Sequence, residues 1–264
     1  MSGTSSGGGR PACSLSSEEA TAGLARAGLH CGRIAAGELL DEPGISPEIV
    51  AANLRDLEFV NTYLGGAAPV LAHVKPVLQR ASTDRPLEIL DIACGGGDLL
   101  RAIAHLAHTM GHAVRGVGVD ANPLVIGWAR AQAMGLSGLR WIRADALCLP
   151  FAASSFDVVT CSTFLHHLQP DDAVPFLARA RSIARTCLIV SDLMRSHSVS
   201  VGFAALAWVL DLAPITRRDG AISLRRAYTP DELDRLARAA GLTGYRIERH
   251  RFCRMSLVCG PNGD

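Results

Sequence analysis

"ILDIACGGGDLL", Ile89 to Leu100, is the stretch from which the fold of this chain can be read. An apolar run carrying Asp91 leads into glycines 95, 96 and 97, and a further acid, Asp98, precedes the return of the apolar pattern. A short continuous apolar run predicts a strand covered on both faces, and glycines directly after it let the backbone approach a ligand with no Cβ in the way. Outward from this point, "RGVGVD", "LRWIRAD", "FDVVTCS" and "CLIVSDL" repeat the β-rich signal, with helical patterns between them at 98–110, 123–134 and 171–184. That alternation predicts a doubly wound α/β sheet with mostly parallel strands. "YRIERHRFCRMSLVCG" adds two final strands.

The glycines alone do not name the ligand. A P-loop needs G-x-x-x-x-G-K-[ST], and no lysine stands near these glycines, which excludes a nucleoside triphosphate. The dinucleotide fingerprint G-x-G-x-x-G, counted from Gly95 and Gly97, requires a third glycine where Leu100 stands. A carboxylate at Asp91, on the tip of the first strand, would repel a pyrophosphate and suits a ligand that carries positive charge.

"LEILDIACGGGDLL" resembles motif I of the class I S-adenosylmethionine (SAM)-dependent methyltransferases, with Ala93 where D-x-G-x-G-x-G has its first glycine. Alanine is small enough for the place but strained there if the backbone needs a positive φ. The resemblance implies SAM as cofactor, a cation without phosphate, held at Asp91, Ala93, Gly95 and Gly97. "GVGVDANP" puts Asp120 at the end of the second strand, 23 residues beyond Gly97, where the family's acid accepts both ribose hydroxyls, with Ala121 beside it. By the same resemblance Asp145 of "RADALCLPF" accepts from the adenine amino group, the Ala146 amide meets a ring nitrogen, and Ser162 of "FDVVTCSTFLHHL" lies beneath the methionine moiety. Each acid also has a plain reading, Asp120 and Asp145 as helix N-caps and Asp157 as a tie for its strand. The resemblance spans about Leu87 to Leu193. It implies a Rossmann-like, seven-stranded, mostly parallel sheet with an N-terminal helical cap and a helical insertion after the fifth strand.

The tandem His166-His167 falls just past the fourth strand, at the carboxyl edge where open α/β sheets bind ligands. One of them could serve as a base toward a hydroxyl acceptor. Neighbours in a helical turn point about 100° apart, so one faces the acceptor, and His166 is the favoured one. Asp192 emerges at the same edge and could orient a histidine or a substrate hydroxyl, or act as a cap. No metal-ligand set is legible, and none is expected.

Residues 1–40 are Gly and Ser rich and read as flexible or weakly helical. Residues 41–80 read as a helical cap: Ser46 and Pro47 start a helix, and "APVLAHVKPVLQR" follows with a kink or restart at Pro76. The methyltransferase-like domain covers 81–264, with the insertion at about 196–227. Its apolar run Val199–Leu210 is too short to span a bilayer and reads as a buried helix or a lid over an apolar substrate.

Lys and Arg total 26 against 25 Asp and Glu, so no basic face for nucleic acid is expected. The eight cysteines form no C-x-x-C pair and the start resembles no signal peptide, which together suggest reduced thiols, no stable membrane insertion and a cytoplasmic setting. The expected acceptor is a small hydrophobic, aromatic molecule of the phenol, quinol or polyketide type, methylated on oxygen, as in similar bacterial small-molecule enzymes. C- or N-methylation, a nicotinamide-dependent oxidoreductase and a non-catalytic SAM-binding module stand as alternatives. Oligomeric state is not legible.

Overall fold

The computed structural model describes residues 33–34, 36–41, 44–195 and 207–260. Seven strands form one sheet in the order β3-β2-β1-β4-β5-β7-β6: β1 Leu87–Ile92, β2 Val114–Asp120, β3 Leu139–Arg143, β4 Phe156–Ser162, β5 Ala184–Leu193, β6 Tyr245–His250 and β7 Arg254–Cys259. The first five pair in parallel, and β7 runs antiparallel between β5 and β6. The helices are α1 Pro47–Tyr63, α2 Ala68–Arg80, α3 Asp98–Thr109, α4 Pro123–Gln132, α5 Pro170–Ile183, α6 Pro214–Arg226 and α7 Pro230–Ala239.

The strands that read as continuous apolar runs are central. Ile89, Leu90 and Ile92 of β1 and Val158 and Val159 of β4 are fully buried, because helices cover both faces of the sheet. One core lies between Leu90, Val159, Leu177 and Leu236, and the other gathers Val70, Val74, Leu78, Ile89, Leu100 and Ile103. Edge strands β3 and β6 are half-exposed instead.

Helix α2 runs continuously through Pro76, so it does not restart there. Proline there removes one backbone donor, but Val70, Val74 and Leu78, four residues apart, are wholly buried against the sheet on both sides of it. Consequently α2 is part of the sheet's covering layer, while α1 overlies the carboxyl edge. Ser46 caps α1 as expected, accepting from the Ile49 amide. Of the apolar run 199–210, residues 199–206 lie outside the described residues, and Trp208 and Val209 are exposed. The six described cysteines are free thiols, four of them buried.

Asp157 sits at the opposite, amino edge of β4, remote from the ligand edge, and has the structural role of its plain reading. It accepts two 2.7 Å bonds from Arg85, one from the Glu88 amide and one from Arg185. Burial opposes its charge, but these donors outweigh burial and hold its carboxyl down at about 2. A depressed acid contributes stability that is present above its unfolded value near 3.8 and lost as pH falls toward 2. Asp157→Asn is therefore expected to lower stability at neutral pH by about 1–2 kcal/mol, allowing for solvent screening at half-exposed Arg85. Denaturant melts at pH 7 and near pH 2 check this, and the difference should vanish at the acid end.

Candidate active site

The carboxyl ends of β1, β2 and β4 open onto a cavity of about 990 Å³, closed from above by α1, α6 and the segment around Glu38. That volume is at the upper end of what one small ligand needs, which leaves room for two. Every residue expected from the sequence to hold cofactor or act on the acceptor lines it except Gly97 and Asp192.

The turn after β1 is tight. Ala93 has φ 53°, Gly95 φ 52° and Gly97 φ 75°, so alanine at 93 does occupy the strained left-handed region, at a cost of roughly 1 kcal/mol. Gly97 is required twice over, since a Cβ there would meet the Trp141 ring at 2.3 Å. A Cβ at Gly95 would meet no protein atom within 4 Å. The Gly95 amide donates to Asp120 Oδ2 at 3.2 Å, which ties the turn to the end of β2.

Asp91 is 1 % exposed and accepts from the Thr160 hydroxyl at 2.7 Å. Burial pushes its carboxyl up to about 7; Thr160 offsets this in part, while Asp98 and Asp120 add repulsion. Asp98 is likewise raised by burial and accepts from the Asn61 amide at 2.9 Å. Three carboxylates crowded at one glycine turn are a poor site for phosphate and a good one for a cation. That crowding is where the residues fit SAM.

Asp120 is not a helix cap. Its Oδ1 accepts from the Asn122 amide, and Asn122 itself caps α4 by accepting from Leu124. Asp145 accepts from the Leu147 amide and precedes no helix, so the cap reading fails there too. Ser162 Oγ lies 3.3 Å from Thr163 Oγ1.

The histidine pair forms a turn, Leu165–His167, at the far wall of the cavity. Asp192 does both things foreseen for it: Oδ1 lies 2.7 Å from His166 Nδ1, and Oδ2 accepts the His166 backbone amide at 2.8 Å. His166 is fully buried, whereas His167 is partly exposed and stacks on Phe164. Burial opposes a charge on His166, but Asp192 and then Glu38 outweigh it and hold the imidazole up at about 9.

Glu38 was missed from sequence, where it stands in a stretch taken as flexible or weakly helical. Its Oε1 lies 3.4 Å from His166 Nε2 and its Oε2 3.5 Å from His167 Nε2. The segment is pinned by Asp219 of α6, which accepts from the Leu39 and Leu40 amides. Arg33 pins it again, donating to the His166 and Leu168 carbonyls and lying 3.8 Å over the Tyr228 ring. Buried Arg254, at the start of β7, and Asn61 were missed as well; both line the cavity. An isolated acid, arginine or asparagine among unrelated neighbours carries no sequence signal.

A seven-stranded sheet of this order, with one antiparallel strand, a glycine turn after β1 and an acid ending β2, is the architecture that the resemblance of the sequence implied. Residues 89–186 match the family model described as "Methyltransferase domain". A demethylmenaquinone methyltransferase of Geobacillus stearothermophilus is 33 % identical over 132 residues, covering 50 % of this chain and 55 % of the relative. A ubiquinone biosynthesis O-methyltransferase of Stutzerimonas stutzeri is 30 % identical, covering 59 % of this chain and 64 % of the relative. The chain thus spans between half and two thirds of the length of these curated relatives. In fold it is similar to the magnesium protoporphyrin IX methyltransferase of Synechocystis, with TM-score 0.53, 19 % identity, and 84 % and 91 % of the two chains covered. A SAM-dependent methyltransferase of Aquifex aeolicus gives 0.51 at 15 % identity, with 70 % and 87 % covered. Over residues 89–186, and over about half of its length, the chain is thus similar to methyltransferases. Among the described residues no helix is long and apolar enough to cross a membrane.

Proposed function

We propose that the protein methylates a hydroxyl of a small aromatic acceptor of the phenol or quinol class. The observation that carries this reading is a single cavity with two unlike ends: an acidic end around Asp91, Asp98 and Asp120, and a far end where His166, His167 and Glu38 stand among Leu40, Phe164 and Leu224. Bound SAM supplies an electrophilic methyl group on a sulfonium. Asp91 would receive its ammonium, Gly95 its close approach to the backbone with Gly97 shaping the turn behind, Asp120 and Ala121 the ribose, Asp145 and Ala146 the adenine, and Ser162 the methionine chain.

The chain's own contribution beyond holding the two reactants in line is ionisation of the acceptor. Such positioning is worth roughly 7–11 kcal/mol. A phenol with a pKa of about 10 is ionised roughly one part in a thousand at neutral pH, so a group that draws off its proton adds about 10²- to 10⁴-fold. The corner of His166, backed by Asp192, with His167 and Glu38 beside it, takes that role, and because His166 is held up at about 9 its base form, and turnover with it, should grow as pH rises toward 9. Leu40, Phe164 and Leu224 exclude water from the corner and favour an apolar ring. The names of the quinone-pathway relatives agree with an acceptor of this kind.

Thermal shift with SAM, its demethylated product, NAD and ATP tests the cofactor end. SAM at 100 times its Kd should add about 2.7 kcal/mol of stability, with no shift from NAD or ATP. Methyl transfer from labelled SAM to a panel of phenols, quinols and amines tests the acceptor end. Stabilisation by NAD in place of SAM, or transfer to amines alone, would overturn the reading.

A further inference from the structure

We infer that Glu38, His166 and His167 form a binding site for a divalent first-row metal ion such as Zn²⁺, at the acceptor end of the cavity. The inference rests on the proposed acceptor reading for its purpose, but not for its geometry. His166 Nε2 is completely buried without a well-formed hydrogen bond, and its ion-pair partner Glu38 Oε1 stands 3.4 Å away, longer than the 2.7–2.9 Å of a tight charge-assisted bond. A pair held that loosely in the interior leaves room for a cation that both atoms can ligate. Metal–ligand bonds of about 2.1 Å at a tetrahedral angle set donor atoms about 3.4 Å apart. The two histidine–carboxylate separations, 3.4 Å to Oε1 and 3.5 Å to Oε2 of Glu38, are of this order, and one donor atom from each of the three residues lies within 4.8 Å of the others.

The surroundings match what metal ligands require. A ligating histidine usually gives its other ring nitrogen to a carboxylate, which fixes the tautomer and aims the free nitrogen at the metal. Asp192 at 2.7 Å from His166 Nδ1 is that partner. The ligating carboxylate is itself held, with Ser223 Oγ donating to Glu38 Oε1 at 2.5 Å. Two ionised carboxylates, Glu38 and Asp192, are balanced by a dication, while nearby Arg33 and Arg226 are directed at backbone carbonyls. Imidazole and carboxylate together select first-row ions over Mg²⁺ or Ca²⁺, which prefer all-oxygen shells.

Three protein ligands leave at least one coordination position open toward the cavity. An acceptor hydroxyl in that position would be acidified because the cation stabilises the oxyanion, its proton passing to water at the mouth of the cavity, and His166 would then serve as a ligand in place of a free base.

The test uses the full chain, freed of any affinity tag and treated with chelator, titrated with Zn²⁺ against a chromophoric competitor. The expected result is one equivalent bound. Glu38→Gln and His167→Asn should each weaken it by about 100-fold, and Asp192→Asn by about 10- to 100-fold. His250→Ala, which disrupts the separate His73, Glu248 and His250 group, should leave it unchanged. Co²⁺ in place of Zn²⁺ should give visible absorption that Glu38→Gln abolishes, and an unaltered thermal shift with SAM shows that each variant is folded. No Zn²⁺ uptake by the wild-type chain overturns the site, as does uptake that survives Glu38→Gln and His167→Asn but is lost in His250→Ala. Methylation of phenols without metal uptake sinks the metal site alone; metal uptake without methylation of any phenol or quinol sinks the acceptor reading alone.

Discussion

Asp91→Asn is expected to weaken SAM binding by about 100-fold or more while making the ligand-free protein more stable. The two effects share one cause. Asp91 is buried with a single hydroxyl partner, and burial, reinforced by Asp98 and Asp120, holds its pKa near 7. An acid whose folded pKa lies above its unfolded value near 3.8 keeps its proton longer in the folded state, so stability falls as pH rises from about 4 to 7 and is level above that. A shift of roughly three units corresponds to a ceiling of about 4 kcal/mol. Asparagine removes the charge but brings an amide that lacks an acceptor, so a net gain of about 1–2 kcal/mol is expected at pH 8, visible as a rise of several degrees in Tm.

The same titration governs the ligand. A bound ammonium favours ionised Asp91, so SAM affinity in the wild type should strengthen as pH rises toward 7 and then level off. In Asp91→Asn that dependence should disappear. Calorimetric titration between pH 5.5 and 8.5 reads both effects, and affinity within threefold of wild type would remove Asp91 from the cofactor site.

His166→Ala is expected to lower turnover by about 10²- to 10⁴-fold with SAM affinity changed less than threefold. His166 is bonded to Asp192 and faces Glu38, with no contact to Asp91, so its removal is expected to act on the acceptor rather than on the cofactor. The substitution also leaves two buried carboxylates without their imidazole, and some loss of stability is expected. Measuring SAM affinity on the same preparation separates that loss from a loss of chemistry. Unchanged turnover would take His166 out of the mechanism, whether as base or as ligand.

The parts of the site that were legible are those whose signal is local. The glycine turn follows directly on an apolar strand, Asp120 ends the next one and Asp145 the one after, so strand-and-helix spacing carries each acid to the same edge. Asp192 was legible as one of two options, because a residue ending β5 must emerge near a residue just past β4, and the structure uses it both ways. The restart expected at Pro76 does not occur, because the cost of proline is local while the packing of Val70, Val74 and Leu78 on both sides of it is not. Asn61, Arg254 and Glu38 were illegible since each reaches the cavity from an element whose position depends on the folded core.

By itself, then, the sequence determined the doubly wound sheet, its ligand edge and the preference of that edge for a cation, since hydrophobic period, turn chemistry and the sign of a carboxylate all act over a few residues. Only the tertiary structure decided that Glu38, more than 120 residues away along the chain, would stand against His166 and His167. It decided also that burial would raise the Asp91 carboxyl and that Asp192 and Glu38 would raise the His166 imidazole, because a pKa depends on burial and neighbouring charges, which exist only once the chain has folded.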